Sequence, residues 1–306
     1  MSSSSGPNPQ GAATTEAPGE AQTTAKDYRG RIKPIWCPGC GNYGVLNALI
    51  NALAELRVDP DNLAVVSGIG CSSRLPGFVK CYGFHGVHGR ALPVALGVKL
   101  GNPRLTVIVT GGDGDGLSIG AGHFPHAVRR NIDITYLMLD NRIYGLTKGQ
   151  TSPTTPRGIW TKTAPHGVIE FPMDPASLAL SYGATFVARG YSVRVKELQA
   201  LIVAAVRHRG FSLVQILTPC VTFGKGCGFD VLAEAAKEVP PEHDVRDARQ
   251  AYLLANDPQG VYTGILYQEE RPEFVEMLQK QGGTRGRELD ETAPQIDIAR
   301  LIGRFS

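Results

Sequence analysis

Short apolar runs alternate with longer segments of helical periodicity through most of this chain. Runs typical of buried strands cover residues 63–67, 105–110, 132–139, 184–188 and 212–217. Segments with apolar residues at helical spacing cover 43–56, 90–100, 117–130 and 195–208. This alternation predicts an α/β fold: a doubly wound, mostly parallel sheet with helices on both faces.

Both ends of the chain depart from this pattern. Residues 1–27 are mainly Ser, Gly, Pro, Ala and Thr, a composition too polar to form a core, and we expect a disordered tail there. Residues 28–228 form the predicted α/β domain. The pattern weakens afterwards, although a weak helical stripe covers 296–305. We therefore expect residues 229–306 to form an extension that packs on the core or on another chain.

Composition and charge narrow the function classes. The net charge of +3 is small and no Lys/Arg run is present, which argues against nucleic acid as a partner. No apolar run approaches the roughly 18–20 residues that a membrane span requires. Six cysteines in 306 residues are too few for a disulfide scaffold. The first residues contain no apolar signal segment, so we expect a reducing, cytoplasmic environment.

A glycine- and aspartate-rich turn is the strongest local signal. Residues 111–116 read Gly-Gly-Asp-Gly-Asp-Gly and lie between a predicted strand and a predicted helix. Glycines allow close backbone approach to a phosphate, and a helix N-terminus favours an anion. Aspartates at that position would repel phosphate unless a cation lay between them. The motif therefore indicates a diphosphate site bridged by a divalent metal, although alone it could be a tight turn with solvated aspartates.

The next predicted strand strengthens this interpretation. It ends in Asp140-Asn141, and neighbouring parallel strands open their carboxyl ends onto one crevice. Asp113 and Asn141 are therefore expected to lie close together. With the main-chain carbonyl of Ile143 and phosphate oxygens, they would complete an octahedral Mg²⁺ site.

Four cysteines form a second candidate site. Cys37 and Cys40 lie on a loop rich in Gly and Pro with two residues between them, whereas Cys71 and Cys220 each follow a predicted strand. The sheet should bring all four to the edge that carries the Gly-Asp turn. Four thiolates suit either zinc or an iron–sulfur cluster, and their spacing does not choose between the two metals. Cys81 and Cys227 are expected to be structural.

Taken together, these motifs resemble the β subunits of 2-oxoacid:ferredoxin oxidoreductases, most of all the two-subunit 2-oxoglutarate type. The resemblance extends from Trp36 to about Gly228, and its conspicuous blocks are residues 36–41, 68–73, 82–90, 111–116 and 144–150. It implies the thiamine diphosphate-binding type of α/β domain. It also implies oxidative decarboxylation of a 2-oxo acid with coenzyme A and ferredoxin, or the reverse carboxylation.

The resemblance also implies roles for individual residues. Magnesium ligands would be Asp113, Asn141 and Ile143, and Cys37, Cys40, Cys71 and Cys220 would hold one [4Fe-4S] cluster. Thiamine diphosphate would contact Ile69, Gly70, Cys71, Ser72, His88, Gly114, Asp115, Gly145 and Leu146. Lys148 and His88 are the candidate catalytic residues, with Lys148 placed to meet the substrate carboxylate.

The same resemblance implies a partner chain. Thiamine enzymes bind the aminopyrimidine on a second domain that supplies a catalytic glutamate, and only one such domain is found in this sequence. Glu55 and Glu170 lie in no convincing second pattern. An α subunit is therefore expected to supply the glutamate, in an αβ or (αβ)₂ assembly.

Other interpretations remain open at this point. The chain could be a non-redox thiamine-dependent decarboxylase or synthase subunit with a structural zinc. It could also be a non-catalytic Cys₄ zinc module, which would leave Asp113 and Asn141 without a role. Within the oxidoreductase interpretation, the substrate could be 2-oxoglutarate, pyruvate or a broad range of 2-oxo acids.

Overall fold

The computed structural model describes residues 23–224 and 228–281. The strands are β1 (Leu63–Ser67), β2 (Tyr82–His85), β3 (Thr106–Gly112), β4 (Ile134–Asp140), β5 (Phe186–Tyr191), β6 (Phe211–Leu217), β7 (Ala236–Glu238) and β8 (Val261–Gln268). The α-helices are α1 (Asn42–Leu56), α2 (Ala91–Gly101), α3 (Phe124–Arg130), α4 (Pro175–Ser181), α5 (Val195–Arg207), α6 (Phe229–Ala235), α7 (Ala248–Ala255) and α8 (Phe274–Gln281).

The strands form one mostly parallel sheet. Its order is β2-β1-β3-β4-β6-β5-β8-β7. The pairs from β2 through β5 are parallel, and β8 runs antiparallel to β5. The predicted α/β fold with a mostly parallel sheet is therefore confirmed.

Two hydrophobic cores cover the two faces of the sheet. Alternate residues of β1, β3, β4, β5 and β6 enter opposite cores, as Leu137 and Met138 of β4 do. Helices α1 and α5 cover one face. Helices α2, α3, α4 and α7 cover the other. The central strands are buried on both faces, which explains their continuous apolar sequences.

One predicted helix is interrupted. The segment 117–130 was expected to be a single helix, but one π-helical turn covers Asp115–Ile119 and the α-helix begins only at Phe124. Gly120 and Gly122 lie between them, where glycine lowers helix stability. Pro125 stands in the first turn of α3, a position that favours a new helix start.

Residues 229–281 continue the same sheet. Strand β8 pairs with β5, and β7 pairs with β8. The helical stripe expected at 296–305, Cys227 and nearly all of the tail 1–27 lie outside the described residues. Within the described ranges, no helix is long and apolar enough to cross a membrane.

Candidate functional site

The carboxyl edge of the parallel strands holds the candidate site. Neighbouring strands β1, β3, β4 and β6 end there. The loops after β1, β2, β3 and β4 line a cleft of about 120 Å³. The lining contains every residue predicted for magnesium and thiamine diphosphate: Ile69, Gly70, Cys71, Ser72, His88, Asp113, Gly114, Asp115, Asn141, Ile143, Gly145 and Leu146.

Asp113 lies buried at the base of this cleft beside a second buried carboxylate, Asp140. The Thr154 hydroxyl lies between them, 2.8 Å from Oδ2 of Asp113 and 2.8 Å from Oδ1 of Asp140. Burial, and then the charge of Asp140, raise the pKa of Asp113 to about 7. A buried pair of carboxylates favours a cation, so the donor set fits a divalent metal.

Asn141 adjoins Asp113, as expected for two ligands of one ion. The Asn141 main-chain N–H donates a hydrogen bond that lowers the pKa of Asp113, opposing the effect of burial. The side-chain Oδ1 of Asn141 accepts from the N–H of Ile143 at 3.1 Å. This local turn keeps Asn141 and Ile143 together on the wall of the cleft.

Asp115 organises the loops around the cleft. Its Oδ1 accepts three hydrogen bonds: from the N–H of Ile69 at 2.9 Å, the N–H of Gly89 at 2.7 Å and the His88 ring Nδ1 at 2.7 Å. The buried carboxylate therefore joins the loops after β1 and β2 to the turn after β3. A contact of Asp115 with a diphosphate would need its main-chain N–H, because its carboxylate repels phosphate.

Position 114 requires glycine because the Tyr144 ring approaches its backbone closely. The Tyr144 hydroxyl donates to the carbonyl of Gly114 at 3.1 Å. The ring lies so near that a Cβ at position 114 would overlap it. The Tyr144 ring also packs edge-on against His88, with centroids 6.1 Å apart.

The four predicted cluster cysteines line a second cavity, of about 380 Å³. Burial raises the pKa of Cys40 to about 11, with smaller contributions in the same direction from the thiols of Cys71, Cys220 and Cys37. A Cβ on Gly145 would lie 3.5 Å from Sγ of Cys220 and 3.9 Å from Sγ of Cys71. The thiols surround this space rather than one point: in the described ranges, no three His, Cys, Asp or Glu side chains approach closely enough to hold a single ion as they stand.

Hydrogen bonds hold the loops of this cavity. The Trp36 indole N–H donates to the Cys71 carbonyl at 2.7 Å. The N–H of Phe223 donates to Sγ of Cys220 at 3.4 Å, a contact typical of thiolates that bind metal clusters. Cys37 is exposed, so the cavity reaches the surface on the side of the Cys37 loop.

The cleft and the cysteine cavity adjoin each other. Five residues line both of them: Asn42, Cys71, Asn141, Gly145 and Leu146. A group held by the cysteines would therefore lie beside a molecule bound in the cleft. This adjacency is what electron transfer between two such groups requires.

Lys148 lines the cysteine cavity but not the cleft. It is exposed and has a left-handed backbone, with φ of +77°. That conformation is uncommon for a residue other than glycine and is often found at functional sites. Its predicted contact with a substrate carboxylate remains a prediction.

Several site residues were not predicted from the sequence. Thr154 is 41 positions from Asp113, and nothing local marks it as its partner. The signal that could have found it is the run of hydroxyl side chains in Thr-Ser-Pro-Thr-Thr-Pro at 151–156, of which Ser152, Thr154 and Thr155 are buried. Arg74, which lines the cysteine cavity, carried no sequence signal at all.

Cys81 belongs to neither cavity. It packs against a hydrophobic core, and burial raises its pKa to about 11. These features agree with the structural role that was expected for it.

The fold and the cleft define a thiamine diphosphate-binding domain. Residues 68–216 match the family described as "Thiamine pyrophosphate enzyme, C-terminal TPP binding domain". Residues 220–282 match the family that comprises the C-terminal part of the pyruvate ferredoxin oxidoreductase β chain. The chain belongs to the family of β subunits of 2-oxoacid:ferredoxin oxidoreductases.

Similar proteins agree with this assignment. The 2-oxoglutarate synthase subunit KorB of Methanocaldococcus jannaschii is 39% identical over 82% of this chain and 93% of its own length. A 2-oxoglutarate:ferredoxin oxidoreductase structure from Magnetococcus marinus, with 2-oxoglutarate, coenzyme A and succinyl-CoA bound, has a TM-score of 0.87 at 41% identity, covering 94% of this chain and 98% of that one.

A third relative is matched over a shorter stretch. The β subunit of 2-oxoacid:ferredoxin oxidoreductase 2 from Aeropyrum pernix is 53% identical over 64% of this chain. The match spans 64% of that relative's own length. The family predicted from the motifs is confirmed.

Proposed function

We propose that this chain is the β subunit of an enzyme that decarboxylates 2-oxoglutarate oxidatively. With coenzyme A it would form succinyl-CoA and CO₂ and reduce ferredoxin, or run the reverse carboxylation. The observation that carries the proposal is the adjacency of the two sites, a metal and diphosphate cleft that shares a wall with a cavity lined by four cysteines.

Magnesium would be held by Asp113, Asn141 and the carbonyl of Ile143. The support is the raised pKa of the buried Asp113 and the hydrogen bond from the Asn141 main chain. Carboxylate, amide and carbonyl oxygens are the ligands that Mg²⁺ prefers. The diphosphate would then bind through the N–H groups of the turn after β3, including that of Gly114.

One [4Fe-4S] cluster would be held by Cys37, Cys40, Cys71 and Cys220. Zinc would need four sulfurs about 2.3 Å from a single point, which leaves almost no free space between them. The four thiols line a cavity and do not converge on one point, which supports the larger group. This is why a redox role is favoured over a thiamine enzyme with a structural zinc.

The residues of the chain itself would prepare the cleft for chemistry. When bound, thiamine diphosphate supplies a nucleophilic carbon and an electron sink for decarboxylation. The His88 ring, held against the Asp115 carboxylate through Nδ1 at 2.7 Å, would present its other ring nitrogen, Nε2, to the cleft. Lys148 would meet the substrate carboxylate from the side of the cysteine cavity.

An α subunit would complete the site. Among the described residues, the lining of the cleft contains no glutamate, and Glu55 instead accepts a hydrogen bond from Gln199 at 2.8 Å. The α subunit would supply the glutamate that promotes tautomerisation of the aminopyrimidine and thereby activation of the cofactor, in an αβ or (αβ)₂ assembly. The substrate assignment follows the 2-oxoglutarate enzymes among the relatives, with pyruvate or a broad range as the alternative.

Two substitutions should separate the two sites in the assembled protein. Asp113→Ala removes the metal carboxylate, so Mg²⁺-dependent binding of thiamine diphosphate should fall at least about 100-fold while iron content is kept. Cys220→Ala should remove iron and visible absorption. Calorimetric titration of the cofactor and iron analysis would measure both effects.

Cys81→Ala is the matched control for the thiol, because Cys81 lies outside both cavities. It should keep both iron and cofactor binding. The proposal fails if Asp113→Ala binds the cofactor as the wild type does, or if Cys220→Ala retains its iron. If both variants behave as expected, turnover of each 2-oxo acid with ferredoxin would decide the substrate.

A further inference from the structure

A continuous chain of buried hydrogen bonds leads from Asp113 across strands β4, β6 and β5. The Thr154 hydroxyl joins Asp113 to Asp140, with 2.8 Å to each carboxylate. Oδ2 of Asp140 accepts from the Gln215 amide at 2.8 Å. Oε1 of Gln215 in turn accepts from Nε of Arg189 at 2.9 Å.

The chain of hydrogen bonds ends at a buried positive charge, the guanidinium of Arg189. Arg189 is only 1% exposed, and its guanidinium also donates to Asp174 at 2.6 Å. Asp174 begins α4, where its other oxygen accepts from the N–H of Ser177 at 2.7 Å. The far end of the chain is therefore anchored to two secondary-structure elements, β5 and α4.

The arrangement also fixes the direction of each hydrogen bond. Arginine can only donate, so it sets the Gln215 amide with its oxygen towards Arg189 and its NH₂ towards Asp140. That NH₂ occupies one oxygen of Asp140, and the other accepts from the N–H of Arg142 at 3.2 Å. With both oxygens engaged, Asp140 is not free to turn towards the cleft.

Thr154 connects this chain of hydrogen bonds to the carboxylate of Asp113, the proposed metal ligand. It is 4% exposed, and it follows Pro153 and precedes Pro156 in the loop, so the backbone on both sides has restricted freedom. Its hydroxyl oxygen lies 2.8 Å from one carboxylate oxygen of Asp113 and 2.8 Å from one of Asp140. The hydroxyl has a single proton and donates to one carboxylate at a time, so it is a shared partner that keeps the two aspartates side by side. A buried pair of like charges would otherwise move apart or protonate.

We propose that Thr154, Asp140, Gln215 and Arg189 are positioning residues that preset the Asp113 carboxylate for the divalent cation. This inference rests on the magnesium site of the proposed function. It gives the motif at 151–156 a role in building the metal site. Partners of metal ligands typically change affinity by 10–100-fold when they are removed.

The test compares Thr154→Val with Thr154→Ser in the assembled protein. Mn²⁺ would replace Mg²⁺, and its EPR signal with thiamine diphosphate present would report binding without any turnover. Valine keeps the shape but loses the hydroxyl, so the half-saturating Mn²⁺ concentration should rise about 10–100-fold. Serine restores the hydroxyl and should recover most of the affinity.

Thr135→Val is the matched control. Thr135 is buried on β4, the strand that ends in Asp140, but its hydroxyl lies 3.3 Å from the Ala205 carbonyl, away from the cleft. This variant should bind Mn²⁺ as the wild type does. If the wild type itself shows no metal-dependent cofactor binding, the proposed function fails. If the wild type binds and Thr154→Val binds equally well, the positioning role alone is overturned.

Gln215→Met tests the hydrogen bonds between Asp140 and Arg189. It also covers the case in which Thr154→Val does not assemble. Methionine has a similar volume but cannot join Arg189 to Asp140. A loss of Mn²⁺ affinity relative to the wild type, with iron content retained, supports the proposal. Unchanged affinity in Gln215→Met overturns the role of Gln215 and Arg189.

Discussion

At the scale of single residues, side chains with unusual chemistry were predictable and their supporting partners were not. A pair of closely spaced cysteines and a Gly-Asp-Gly turn can be recognised in the sequence because such motifs are uncommon outside metal and phosphate sites. Thr154 and Gln215 are common residue types whose importance arises from contacts 41 and 75 positions away. Such contacts exist only once the sheet has formed.

Histidine 208 gives a prediction about pH at this scale. It directly follows the last residue of α5, and its Nε2 lies 2.8 Å from the Thr185 hydroxyl. Burial lowers the pKa of His208, so the folded state favours the neutral ring. Its contribution to stability is present above the ordinary histidine pKa of about 6.5 and is lost as the pH falls through the lower, folded value.

Thermal unfolding between pH 8 and pH 5 would measure this effect. The wild-type melting temperature should fall on the acid side, and His208→Gln should lose less over the same range. His166→Gln, at an exposed position, should follow the wild type. An identical acid slope in wild type and His208→Gln would contradict the assignment.

At the scale of secondary structure, prediction succeeded where strands are buried on both faces. The expected strand 63–67 coincides with β1, and the expected helix 195–208 differs from α5 by one residue. Strand β2 escaped prediction because all four of its residues are exposed. Strand β8 escaped because its register shifts opposite Val187 and Ala188, and such a bulge breaks the alternation of apolar and polar residues.

Strand β8 gives the prediction at this scale. Leu266 is fully buried in the core between the sheet and its helices. Leu266→Ala should therefore lower the free energy of unfolding by about 2–5 kcal/mol. Leu253→Ala, on the exposed face of α7, should change it by less than about 0.5 kcal/mol.

Chemical denaturation of the two leucine variants would distinguish two arrangements of residues 229–281. A large difference means that β8 is part of the cooperative core. Equal stability of Leu266→Ala and Leu253→Ala would mean that these residues pack only loosely against β5.

At the scale of the whole molecule, the fold explains why two cofactors would sit side by side. Parallel strands gather their carboxyl ends at one edge, so loops that are distant in sequence supply both a metal and diphosphate cleft and a four-cysteine cavity. Sequence reasoning reached this arrangement because it depends on strand direction alone. It also assigned Cys71 to both sites, and Cys71 does line both cavities. It did not find Asn42, which lines both as well.

The most direct test of the two adjoining sites is the metal and cofactor content of the assembled protein, purified without oxygen and supplied with Mg²⁺. We expect a brown protein with about four iron atoms and one thiamine diphosphate per copy of this chain. Chelating Mg²⁺ should release the cofactor while the iron stays. A colourless protein that contains zinc in place of iron would contradict the proposed function.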